Sequence, residues 1–177
     1  CLGGGIYSND VVNIASGSVI SGNHSFGDGG GIYTFASLTI NEATLFGNGS
    51  DSNGGGAWSN GSVEVLTSTV ASNDSAVGGG GIYASGDIIL QNANIFSNSA
   101  DFSGGGLYAN GFLNAADSML TGNESGTLGG GAWIDEAITL VGGSVVGNSS
   151  LGSAGGLSGR AGAEVNGTLF QDNMAAD

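Results

Sequence analysis

A glycine cluster returns at a nearly fixed interval along this chain, and that periodicity limits the possible folds more than any other feature. The clusters end at Gly5, Gly31, Gly56, Gly81, Gly106, Gly131 and Gly156, so every step but the first is 25 residues. A second landmark is an apolar residue three places before an asparagine. It marks Asn23, Asn48, Asn73, Asn98, Asn123, Asn148 and Asn173, again 25 apart. Two landmarks with one period describe stacked structural repeats, each burying its apolar face only against its neighbours.

Within the repeat, apolar and small residues alternate. Ile20, Leu45, Val70, Ile95, Leu120, Val145 and Phe170 precede the asparagines, and two places earlier stand Ser18, Ala43, Ser68, Ala93, Ser118, Gly143 and Thr168. Alternation of this kind marks a strand with one inward face. A second strand is read from pairs such as Val12 and Ile14, Leu38 and Ile40, or Ile88 and Leu90, and a third follows the glycines as Gly-Ile-Tyr or Gly-Ala-Trp. The first coil carries one extra residue, which the alternation places in the turn between Ile14 and Ser18.

A helical solenoid would not accept three glycines per repeat, since each helical glycine costs about 1 kcal/mol. A propeller blade needs about 40 residues and four strands. The expected fold is therefore all-β: a right-handed, single-stranded parallel β-helix of seven 25-residue coils, three short strands per coil, in one domain over residues 1–177. With coils about 4.8 Å apart, the stack is on the order of 35 Å long.

Composition narrows the function. The chain has 38 glycines, no proline, 15 acidic residues, a single basic residue (Arg160) and a formal charge of -14. Nothing is available to neutralise phosphates, so no nucleic-acid partner and no attachment to anionic lipid are expected. The scattered carboxylates act as solvation and as mutual repulsion between molecules. Cys1 is the only cysteine, so no internal disulfide staples the coils. No apolar run is long enough to span a bilayer, and no membrane insertion of this segment is expected. The chain opens and closes on ordinary coils, and solenoids need polar caps. It is expected to be an interior piece of a longer protein, flanked by further coils or by other copies stacked end to end.

The recurring asparagines are expected to form a structural ladder that satisfies turn amides and carbonyls, turned inward or bonded to the turns. Asn23, Asn48, Asn73, Asn123 and Asn148 also lie in Asn-x-Ser, whereas Asn98 and Asn173 do not, so the asparagine recurs without its serine. The row Tyr7, Tyr33, Trp58, Tyr83, Tyr108 and Trp133, which ends at Ser158, is the candidate binding feature. Alternation with Ile6, Ile32, Ala57, Ile82, Leu107, Ala132 and Leu157 puts the rings outside. Such a row could serve as a sugar platform, a contact between fibres or a stabilising cross-strand ladder.

Gly-Gly-Gly-Ile-Tyr and Leu-Phe-Gly-Asn resemble the GGA[ILV] and FxxN motif pair of polymorphic outer-membrane proteins and related bacterial repeat proteins. The likeness runs through the whole chain. Gly stands where the first motif has Ala, and Phe occupies the FxxN position only at Phe170. The resemblance implies a secreted or autotransported parallel β-helix serving as an adhesin or surface scaffold.

Catalytic chemistry finds little support. β-Helix enzymes that cleave acidic polysaccharides use clustered aspartates or a basic proton acceptor beside calcium. Here the candidate bases are His24 and Arg160, on coils far apart and both expected as solvated surface residues. Asp135 and Glu136 are adjacent and face opposite ways, while Glu64 and Glu164 are four coils apart. Asn48-Gly-Ser-Asp51 and Asn73-Asp74-Ser75 offer oxygen ligands in turns, but the spacing is generic and no metal or cofactor is expected. The outward column Thr39, Glu64, Ile89, Asn114, Thr139 and Glu164 is too mixed to form a threonine array for ice. The expected role is a non-catalytic extracellular structural protein, whether a cell-surface adhesin segment or a fibre subunit, with a surface glycan or host receptor as candidate partner. The alternative is a carbohydrate-binding or polysaccharide-cleaving module that uses the aromatic row.

Overall fold

The computed structural model describes residues 2–176, and Cys1 lies outside them. It is a parallel β-solenoid of seven coils whose strands form four seven-stranded sheets. Every neighbour in a sheet comes from the adjacent coil, and all pairings are parallel and in register, as in Ile82↔Leu107 and Ile88↔Leu113. The extra residue of the first coil lies between Ile14 and Val19. Val12 pairs with Leu38, whereas Val19 pairs with Thr44, so the register shifts inside that turn without breaking a strand.

One coil illustrates the rest. Ile82–Ala84, Ile88–Gln91, Asn94–Phe96 and Ser99–Ala100 are its strands. The expectation of three strands per coil is thus corrected to four. The fourth has only two residues and carries a small inward side chain, in the series Ser25, Ser50, Ser75, Ala100, Ser125 and Ser150. It has no apolar alternation of its own, and the coils on either side impose its pairing.

The inward residues of the first three sheets make one continuous core, in which Ile32, Leu38, Ile40, Leu45, Ile82, Ile88, Leu90, Ile95, Leu107 and Leu113 are almost wholly buried. The fourth sheet contributes serine instead, and Ser50, Ser75 and Ser125 bury a hydroxyl that has no hydrogen-bond partner. An unsatisfied buried hydroxyl costs free energy, and Ala100 fills the same place in one coil. Ser75→Ala is therefore expected to be neutral or to stabilise by up to about 1 kcal/mol. A rise or no change in the urea midpoint at constant m-value would bear this out, and a clear fall would count against it.

The glycine cluster has three separate causes, visible at residues 79–81. Gly79 adopts φ +65, a backbone that side chains resist. A methyl on Gly80 would lie inside contact distance of the carbonyl oxygens of Ser99 and Gly105, because successive coils cross there main chain on main chain. A methyl on Gly81 would meet the carbonyl oxygen of Gly106 at 2.6 Å and Cγ of Asn98 at 3.1 Å, so this glycine leaves space for the asparagine as well as for the next coil.

Candidate functional site

Two columns of side chains run the length of the stack. The first starts from the asparagine that closes each third strand. A residue of positive φ, such as Ser72 or Ser97 at φ 53, immediately precedes it and turns its side chain into the core. The amides of Asn48, Asn73, Asn98, Asn123 and Asn148 are at most 1% exposed.

Their bonding is saturated. Asn73 Nδ2 donates to Oδ1 of Asn98 at 3.0 Å and to the carbonyl oxygen of Leu45 at 3.2 Å. The main-chain N–H of Asn73 donates to the same Oδ1 at 3.0 Å. Each Oδ1 thus accepts twice and each Nδ2 spends both protons, and the pattern repeats at Asn48, Asn98, Asn123 and Asn148. At the ends, Asn23 donates to Asn48 and to Ser21, and Asn173 accepts from Asn148 and donates to Val145. Every amide-to-amide bond points toward the C-terminal coil. The aligned dipoles polarise one another in a buried column, which strengthens each bond.

The second column is the aromatic row on the first sheet. Ile32, Ala57, Ile82, Leu107 and Ala132 of the same strands point into the core, and the rings stand on the other side. Tyr7 and Tyr33 stack at 5.4 Å and 4°, Tyr33 and Trp58 at 4.4 Å and 6°, and Trp58 and Tyr83 at 6.3 Å and 8°. Tyr83 and Tyr108 follow at 4.7 Å, then Tyr108 and Trp133 at 4.5 Å. Phe35 packs edge-on against Tyr7, Tyr33 and Trp58.

Where Ser158 interrupts the row, Arg160 replaces the missing ring. Its Cζ lies 5.3 Å from the centroid of Trp133 while Nη1 donates to Asp135 at 3.0 Å. The sequence suggested a solvated surface residue; the side chain is indeed exposed, and the structure adds two partners. Outward placement and burial coincide here: Tyr33 and Trp133 are only 4% and 7% exposed, because their neighbours in the column cover their faces. Tyr7, at the end of the row, is 51% exposed. Burial raises the Tyr33 and Tyr108 hydroxyl pKa values above the usual range, with nearby Asp28 adding to the effect at Tyr33 and the Tyr83 phenol adding to it at Tyr108.

Sugar recognition by stacking needs an open ring face, and five of these six rings have both faces occupied. Removing one ring should therefore be read in stability. Tyr83→Ala deletes two stacked contacts, each worth about 0.5–1.5 kcal/mol beyond area burial. A loss of roughly 1–3 kcal/mol is expected with the far-ultraviolet circular dichroism unchanged, as measured by urea unfolding. No loss would mean that the ring merely decorates the surface.

The remaining candidates are dispersed. His24 Nε2 lies 3.1 Å from Asp51, both about half exposed, at the opposite end of the stack from the Arg160–Asp135 pair. Glu64 and Glu164 stand on the second sheet with three coils between them. In the turns considered for calcium, the Asn48 and Asn73 side chains belong to the ladder, which leaves Asp51 and Asp74. Asp74 has its pKa raised by desolvation and then by Asp101, with His24 opposing. Among the described residues no three His, Cys, Asp or Glu side chains converge. A groove of about 470 Å³ runs along the fourth sheet past Asp101, Glu124, Ser125 and Leu151. Sequence reasoning missed that groove because the fourth strand that floors it went unread.

No known protein family matches the chain, and no curated protein or solved structure matches it either.

Proposed function

We propose that this chain is a non-catalytic structural element of an extracellular or cell-surface protein, a rigid adhesin stalk or fibre-forming segment. The observation that carries this reading is the continuity of both side-chain columns through the coils. Groups that could bind or react, the amides and the rings, are instead used on one another from coil to coil. The likeness of the glycine and asparagine motifs to those of polymorphic outer-membrane proteins and related surface repeats supports the location.

Length is the property such a stack offers. The terminal coil leaves its inward residues Val165 and Phe170 48% and 44% exposed, while their partners Leu140 and Val145 are buried. The ladder is polar, so its two ends match: Asn173 offers an N–H, and Asn23 offers Oδ1. A further coil, from the same chain or from a second copy, continues both core and ladder in a head-to-tail, non-closing contact. Isolated chain is therefore expected to grow end to end, and more so as salt screens its charge of -14. Light scattering against concentration and ionic strength tests this. Filaments one coil wide support the proposal. A monomer at high concentration and high salt, or selective retention of a glycan that Tyr83→Ala abolishes, would replace it with a self-capped module or a carbohydrate binder.

A further inference from the structure

Four of the buried ladder asparagines, Asn48, Asn73, Asn123 and Asn148, are followed two places on by serine, and so sit in Asn-x-Ser acceptors for N-linked glycan. From the ladder geometry we infer that N-glycosylation and folding of this chain are mutually exclusive: these asparagines are acceptors only while the chain is unfolded, and one glycan on any of them prevents the solenoid from closing. The transfer joins Nδ2 to the anomeric carbon of an oligosaccharide carried on a polyprenyl diphosphate. The N–C bond forms, the C–O bond to the diphosphate breaks, the displaced amide proton passes to the transferase, and the polyprenyl diphosphate leaves.

In the folded chain that reaction has nowhere to occur. Both protons of each Nδ2 are already donated, as at Asn123 to Asn148 Oδ1 at 2.9 Å and to the carbonyl oxygen of Ile95 at 3.0 Å. The four asparagines are at most 1% exposed. Gly31, Gly56, Gly106 and Gly131 lack a Cβ at the points where one would crowd the amides of Asn48, Asn73, Asn123 and Asn148, so no room exists for a sugar ring. Modification before folding removes a donor from the column and places a large polar group in the core. Asn60 and Asn166 make the contrast. They also lie in acceptors, Asn60-Gly-Ser62 and Asn166-Gly-Thr168, but both are exposed and outside the ladder. The native route therefore folds this chain without meeting an oligosaccharyl transferase, or before meeting one.

The test uses the full chain with Asn60→Gln, Asn166→Gln and Ser25→Ala, which leaves only the four buried acceptors. It is passed through a secretory pathway whose transferase acts during translocation, and glycosylated molecules are separated by lectin capture. Captured molecules are expected to lack the β-solenoid circular dichroism and to be digested at least tenfold faster by protease, while uncaptured molecules fold. A companion variant that adds Ser50→Ala, Ser75→Ala, Ser125→Ala and Ser150→Ala removes every ladder acceptor. It should fold quantitatively by the same route, as alanine already stands at position 100. Captured molecules with a protease-resistant solenoid would overturn the inference, as would an empty capture fraction or a companion variant that folds no better than its parent.

Discussion

Asn98→Leu is expected to destabilise the solenoid by about 3–6 kcal/mol, among the largest effects available to a single side chain here. The leucine matches the volume but cannot accept, so the N–H and Nδ2 of Asn73 both lose their acceptor. The carbonyl oxygen of Val70 loses its donor. Three buried groups are then unsatisfied, at about 1–3 kcal/mol each, with some relaxation expected between them. The same change at Asn23 serves as a control. Its amide lies at the edge of the stack, where water can replace the lost partner, and the cost should be under about 1.5 kcal/mol. Equal losses at Asn23 and Asn98 would mean that the column is not a cooperative unit.

Asn98→Asp separates the two halves of the amide. It keeps the acceptor used by Asn73 and loses the donor aimed at Val70 and Asn123, so a carboxylate would face two acceptor oxygens. The neutral acid suits that site better, which raises the folded-state pKa above the unfolded value of about 3.9. The sign follows directly: this variant is most stable below about pH 4 and loses stability as pH rises through the folded pKa. The wild-type amide has no such dependence, and unfolding curves at two pH values distinguish them.

Gly80→Ala should have a comparable effect for a steric reason. Its methyl would press on the carbonyl oxygens of Ser99 and Gly105, and Gly105 is itself bonded to the neighbouring coil. Rigid main chain on two sides cannot yield as a flexible side chain would, and a loss of more than about 3 kcal/mol is expected. Gly47→Ser is the matched control. Gly47 has φ +62 but nothing within reach of its missing Cβ, and Ser72 and Ser97 occupy the equivalent place in the next coils. Its cost should stay within about 1 kcal/mol. If both glycines tolerated substitution equally, close approach of the coils would not be the reason for the triplet.

The architecture was legible because each coil repeats its signals seven times, so that chance alternation in one coil is corrected by the others. Inward residues such as Ile88 and Leu90 declared themselves by period and hydrophobicity, and the misplaced residue of the first coil declared itself by breaking that period. The fourth strand did not, since Ser75 and Ala100 carry no apolar signal and take their pairing from adjacent coils. In the candidate site, the asparagine column could be read as a ladder, but not the direction of its bonds. That direction is a matter of which atom of each amide faces the next coil, 25 residues on, and no local pattern encodes it. The aromatic row was read in its membership and its outward side. Its closure by Arg160 was hidden, because the guanidinium reaches back one coil to a ring 27 residues earlier, and no local pattern encodes that contact.

Hydrogen exchange of the asparagine side-chain amides, resolved by NMR, tests the central claim most directly. If the ladder is the polar spine of the solenoid, the Nδ2 protons of Asn73, Asn98 and Asn123 will exchange only through unfolding of the stack, with protection matching that of their own main-chain N–H groups. Exchange of those three side chains within minutes, at the rate of exposed Asn60, would contradict it.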